Sequence, residues 1–456
     1  MAYTTLVPLA LFGWISLGPF FFAVLSGRRA LLATVLLGWM FLPVASYPIS
    51  GLPDVTKASV IPMAAFLGTL LFHGGRLRSF RLGLLDLPIL IYCVSPLFTS
   101  LANGLGLYDG LSAVFFQSIT VGLLYLLGRI WITDLRALKE MLIWLFAAGA
   151  AYAPLILFES RMSPQLHHWV YGYHPQSFAM AWRFGGFRPW VFMVNGLVLS
   201  IFVVSSVLAG WAVWRGGLRR RILGVKVSLL LVAMLFTALV CRSLGATVLM
   251  GVAIVALEIT RRRRVLAPLL ILLAIPLLYA GARTIVRWDS GRVIEAARLI
   301  SEDRADSLQF RVDHEMALTA KALERPLLGW GGWGRARIRD AEGRDVSITD
   351  ARWVIILGAQ GLVGLLAWFS AFILPAVSLL VHMRARTGSR VVWTMICGAV
   401  SIIALHLLDF CFNGTISVVF LLVSGAVLGV ASRVRSIKRV RPRPAEIPGR
   451  VVLATR

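Results

Sequence analysis

Apolar stretches close to the roughly 20 residues that a helix needs to cross a hydrocarbon core recur along almost all of this 456-residue chain. They fall at 5–25, 31–50, 58–73, 84–102, 111–128, 138–158, 189–213, 222–241, 243–260, 265–281, 353–381, 391–409 and 415–432. A chain so punctuated is expected to be an all-α, polytopic integral membrane protein with about twelve or thirteen transmembrane helices. Composition agrees: 58% of residues are hydrophobic and 15% charged, against about 45–50% apolar and about 25% charged in soluble domains.

The net charge of +25 has to be placed before it is interpreted. Alternate connections carry Arg28 and Arg29; Arg76, Arg78 and Arg81; Arg129, Arg136 and Lys139; Arg215, Arg219, Arg220, Arg221 and Lys226; Arg261 to Arg264; Arg384, Arg386 and Arg390; then the tail beyond Arg433. That alternation follows the positive-inside rule with the N-terminus outside and the C-terminus in the cytoplasm. The basicity is therefore read as orientation and contact with anionic membrane lipids, not as a nucleic-acid surface. No basic residue precedes the first span and Arg28 and Arg29 follow it, the pattern of an uncleaved anchor. Cys93, Cys241, Cys397 and Cys411 have no CxxC spacing and suit small core residues.

Six regions follow: N-terminal spans in 1–158, a loop 159–188, central spans in 189–281, a large loop 282–352, C-terminal spans in 353–432, and a basic tail 433–456. Both loops fall on the expected extracytoplasmic side and are too long and too aromatic for simple turns, so function is expected there. In the larger one, FRVDHEMALTAKALER (310–325) places Val312, Met316, Ala320 and Leu323 at helical spacing, with Pro326 marking the end. The polar side of that helix would display Arg311, His314, Glu315 and Lys321. PLLGWGGWG follows, with Gly329, Gly331, Gly332 and Gly334 able to take backbone angles closed to other residues. Trp330 and Trp333 suit the water–lipid boundary.

The order of these pieces resembles the O-antigen ligase and polymerase family of bacterial envelopes. An Arg-headed helix leads to a PLLGxGxG-like turn, a polar loop, and an apolar segment ending in GLxG, here Gly361–Gly364. FRPWVFMVNGLVLS (187–200) and CRSLGATVLM (241–250) are similar to two further family segments, so the resemblance covers roughly 180–370. Asp350 stands where the family has its histidine, and Ala351 where it has asparagine; this departure weighs more against a ligase than against glycan transfer. The resemblance implies an all-helical enzyme of the bacterial inner membrane with an outer cavity roofed by the two loops. It implies transfer of a glycan from an undecaprenyl-diphosphate-linked donor to a hydroxyl of an acceptor glycan or glycolipid, with no cofactor.

Such chemistry needs cations for the leaving diphosphate, and arginine suits that task through charge-assisted, often bidentate hydrogen bonds. Arg242, in a very short connection between two spans, is the first candidate, followed by Arg311 and Arg188. The acceptor hydroxyl needs a base. Asp350 is the first choice by position and His314 the reserve, with His167, His168 and His174 behind it. A carboxylate is a weak base unless it is withdrawn from water, so this role requires burial of Asp350; capping of the next helix is its competing role. No HExxH, Walker or GxSxG pattern points to metal, nucleotide or serine-hydrolase chemistry. Two other readings stay open: a secondary transporter of small anions, and a non-catalytic subunit of a polysaccharide assembly system.

Overall fold

A computed structural model of the protein describes residues 4–286, 291–299, 302–332, 334–348, 350–386 and 388–439. Trp333 and most of the basic tail lie outside the described residues. Each apolar stretch contains a helix, and the described strands form only short two-stranded hairpins. Among the described residues, 10 helices are long and apolar enough to cross a membrane. Val227–Val240 and Val418–Val434 are shorter but equally apolar. The chain is an all-α, multi-pass membrane protein.

The connections sort into two faces. On one, Arg28 pairs with Glu140 (3.4 Å), Arg129 with Asp86 (3.3 Å), and Glu258 with Arg215 (2.9 Å) and Arg261 (2.7 Å), while Arg264 donates to the Gly388 carbonyl. These bonds stitch together the segments that carry the alternating arginines. The other face gathers the two long loops: Thr4 donates to the Tyr171 carbonyl, Tyr173 to the Val44 carbonyl, and Arg335 pairs with Asp109. The start of the first helix therefore lies on the loop face. Gly429, near the end of the last helix, lies against Ile132 and Arg129 on the basic face.

Two expected spans are shorter than their apolar stretches. Residues 31–50 are helical only to Phe41, the end of the 15-residue helix Gly27–Phe41, after which Ser46–Ile49 pairs with Leu52–Thr56. Pro43, Pro48 and Pro53 remove backbone donors and explain the stop. Gly27–Phe41 still joins the faces: Gly27 abuts Trp131, while the Phe41 carbonyl accepts from Tyr171. The span expected at 189–213 starts only at Gly196. Before it, Glu159 takes the N–H groups of Trp190 and Val191, and Asn195 caps Leu197 and Val198. Gly196–Arg215 and Arg390–Asp409 are each 89% buried over their apolar windows, so they form the centre around which the lipid-facing helices pack.

The loop helix runs Glu302–Leu323, ending before Pro326 as expected. Its buried face differs from the expected one. Val312, Leu318, Thr319 and Ala322 are buried, whereas Met316 and Ala320 are exposed. Glu315, expected on the polar side, turns inward to accept from Arg283 (2.7 Å) and Tyr279 (2.9 Å). That ion pair rotates the helix away from its purely apolar register. Burial raises the pKa of the Glu315 carboxyl above its usual range, partly offset by the Tyr279 and Arg283 contacts. All four cysteines are free and buried.

Candidate functional site

The site is organised by a break in the helix Arg352–Arg386. Gly361 has φ 64° and ψ −162°, so the ladder is interrupted there and the carbonyls near it need other partners. PLLGWGG supplies them: Trp330 N donates to Gly358 O (2.8 Å) and Gly331 N to Ala359 O (3.0 Å). In return, Leu362 N donates to Pro326 O (2.7 Å) and Val363 N to Leu327 O (3.2 Å). Gly329, Gly331, Gly332 and Gly334 all have positive φ. A Cβ at Gly329 would stand 2.7 Å from the Ala359 carbonyl carbon, so only glycine allows the two backbones to meet. The glycine-rich turn is a clamp on a broken helix.

The first turn of that helix faces a polar cavity of about 300 Å³, lined by Asn195, Asp350, Arg352, Asp409, Asn413, Thr415 and Ser417 with a few apolar neighbours. Asp350 also lines a small crevice with Arg311 and His314, so it stands between the two spaces. Arg352 is shared with a third space of about 440 Å³, mostly apolar, that reaches Phe116, Gln117 and Thr120. Phe116 belongs to a half-exposed helix face, which makes this space a lateral approach from the lipid side. A larger hollow of about 720 Å³ by Arg81 and Asp86 lies toward the basic face and is almost wholly apolar; it has little to offer polar chemistry.

Of the residues read from the sequence, Arg311, His314 and Asp350 come together. Arg311 Nε lies 3.6 Å from Asp350 Oδ2, and His314 packs edge-on against Phe310. The Asp350 side chain is 46% exposed, so the burial asked of a base there is not found. Among the described residues its carboxylate caps no backbone N–H. Arg188 is 6% exposed, and its Nε and one Nη have no hydrogen-bond partner among the described residues. Burial, then the charges of Arg183 and Arg311, lower its pKa to about 10. Arg188 is near enough to Arg311 to feel its charge, but it lines none of these spaces.

Arg242 lines none of these spaces. Its guanidinium donates to the carbonyls of Arg183 and Phe184, over Gly186, and so fastens the hairpin Trp182–Phe187 that leads to Arg188. His167 is also engaged: Nε2 accepts from Val44 N (3.2 Å) and Nδ1 bonds the Tyr173 carbonyl (2.8 Å). Burial lowers its pKa to about 4, and it pins the loop 159–188 as a neutral ring. His168 and His174 stack on each other at 4.8 Å.

Arg352 and Asp409 are the residues that sequence reading passed over as site members. Arg352 holds Tyr92 Oη (3.2 Å) and the Gly414 carbonyl (3.4 Å), lies over the Trp368 ring, and among the described residues keeps Nε without a partner. Asp409 ends Arg390–Asp409 and is 6% exposed. The available signal was an acidic residue closing an apolar segment otherwise free of charge, four residues before Asn413. No family model matches the sequence, and no curated protein does either.

Proposed function

We propose that the protein transfers a glycan from an undecaprenyl-diphosphate-linked donor to the hydroxyl of an acceptor glycan or glycolipid, on the extracytoplasmic side of a bacterial inner membrane. The observation that carries this reading is one polar cavity, at the end of a broken helix, lined by Asp350, Asp409 and Arg352, with Arg311 in the adjoining crevice and an apolar approach beside it. Arg188, behind these spaces, gives further electrostatic support. A buried guanidinium with free N–H groups is costly in an empty protein and well placed for an anion. Arg311 adds a second cation, held toward the cavity by Asp350. As the bond from the anomeric carbon to phosphate breaks, negative charge grows on the departing diphosphate, and cations fixed in advance stabilise it. The apolar approach matches the lipid chain of a glycolipid, and the polar cavity its sugar.

Transport of a small anion is the second reading, favoured by the helix break, a common feature of carrier binding sites. The carbonyls freed at Gly358 and Ala359 are, however, taken by the glycine clamp, and none is left for a coordinated ion. The deciding experiment uses protein in nanodiscs with a synthetic undecaprenyl-diphosphate-linked repeat and follows release of undecaprenyl diphosphate. Wild type should release it, and Arg311→Ala should be slower by roughly 10²-fold, the effect of removing one preorganised donor. Equal release by both proteins sinks the assignment of Arg311, and anion flux without release favours the carrier.

A further inference from the structure

We infer that the 300 Å³ cavity receives the acceptor sugar and that Asp409, rather than Asp350, takes the proton from its hydroxyl. This rests on the glycan-transfer reading above. The two carboxylates lie on the same cavity but in different circumstances. Asp350 is half exposed and tied to Arg311 at 3.6 Å. Its charge is spent on orienting a cation. Asp409 is 6% exposed, and its Oδ1 accepts from Asn413 Nδ2. Among the described residues no cation lies within ion-pair distance of it and no hydrogen bond reaches Oδ2. A carboxylate buried without a counter-charge is expensive, and one that opens on a polar cavity is positioned for proton transfer.

The other lining groups fit a sugar ring. Asn195, Asn413, Thr415 and Ser417 offer short amide and hydroxyl groups that pair with hydroxyls. The volume sits at the lower end for small-molecule sites, enough for one ring and too little for a chain. Arg352 closes the side shared with the apolar approach, and Asp350 closes the side toward Arg311. Donor diphosphate and acceptor hydroxyl are thereby held on opposite sides of Asp350.

In the step itself the acceptor O–H bond breaks and its proton goes to Asp409 Oδ2. The acceptor oxygen forms a bond to the anomeric carbon. The bond from that carbon to the phosphate oxygen breaks, and its electron pair leaves with undecaprenyl diphosphate. Asp409 later returns the proton to water. No oxidant, metal or nucleotide is consumed.

The test measures turnover and donor KM in nanodiscs for wild type, Asp409→Asn, Asp409→Glu and Asp350→Asn. Loss of a general base costs roughly 10²–10⁴-fold in kcat, so Asp409→Asn should lose turnover at unchanged donor KM. Asp350→Asn should instead raise donor KM, because Arg311 loses its tether. If Asp409→Asn turns over within about threefold of wild type, or the kcat loss falls on Asp350→Asn instead, the inference is overturned. Should Asp409→Asn lose donor binding as well, Asp409→Glu decides: recovered turnover supports the base, and none overturns it. A wild type that binds no donor brings down the transfer reading and this inference together, whereas an active Asp409→Asn beside an active wild type removes this inference alone.

Discussion

Arg188 separates two reasons for keeping a charge inside a protein. An arginine retained for packing has its N–H groups satisfied; Arg188, 6% exposed, has its Nε and one Nη unpartnered among the described residues. Gly196 is what makes room for it, since a Cβ there would lie 2.5 Å from Nε and 2.7 Å from Cδ. The lowered pKa, about 10, has the sign of a cost: at neutral pH the guanidinium is charged although burial disfavours that form, and stability would rise only above that pH. Arg188→Met keeps much of the stem volume and removes the charge. It should therefore raise stability by an amount on the order of 1 kcal/mol, and the melting temperature with it, while slowing glycan transfer, the trade-off expected where function holds a residue against stability. Thermal unfolding in detergent alongside the nanodisc assay measures both. A variant that is less stable and fully active would show Arg188 to be a packing residue.

At the level of elements, the clamp explains why two motifs lie far apart in sequence. PLLGWGG and GAQGLVG read separately as a turn and a helix end, yet their backbones are one hydrogen-bonded unit. The sequence made the permissive angles legible, because four closely spaced glycines have few other uses. It did not reveal the partner, because hydrogen bonds between main chains leave no side-chain signature. The inward turn of Glu315 was hidden for a related reason: Arg283 and Tyr279 lie on another helix, and a periodicity count weighs only apolar positions. Asp350 and Arg311 were each found by position, but their pairing and the exposure of Asp350 were not. Gly361→Ala tests the clamp. Its Cβ would overlap the Leu327 carbonyl and stand 2.6 Å from Leu328 N, at φ +64°. Strain at such an angle alone costs about 1–3 kcal/mol, so the variant should release the turn and open 324–332 to limited proteolysis while the spans stay folded. Gly334→Ala, whose Cβ meets nothing within 4 Å, should carry only the angular cost. Equal protease resistance in both variants and wild type would mean the clamp is not what holds the loop.

Over the whole molecule, the spans were the most legible feature because lipid imposes one solution on every apolar stretch of sufficient length. Where a helix is enclosed by others, length ceases to be required, and Gly27–Phe41 crosses between the faces with 15 residues, 11 of them buried. Orientation rests on charge, and the fold gathers that charge in space. The connections that carry the alternating arginines lie on one face, where Glu140, Asp86 and Glu258 pair with Arg28, Arg129 and Arg215, and the two long loops lie on the other. A cluster of cations near one boundary favours the leaflet and compartment where anionic lipid and membrane potential hold it. The loop face should thus be extracytoplasmic, as lipid-linked transfer requires. Because all four native cysteines are buried, single cysteines can be introduced without removing them. In intact spheroplasts, an impermeant maleimide should label Glu342→Cys, on the loop face, and leave Arg219→Cys, on the basic face, unlabelled until the membrane is opened. The reverse pattern would place the site in the cytoplasm, where a donor awaiting export is not yet assembled on the outer leaflet, and the transfer reading would fall with it. Labelling of both in intact cells would instead deny that the two faces lie on opposite sides of the membrane.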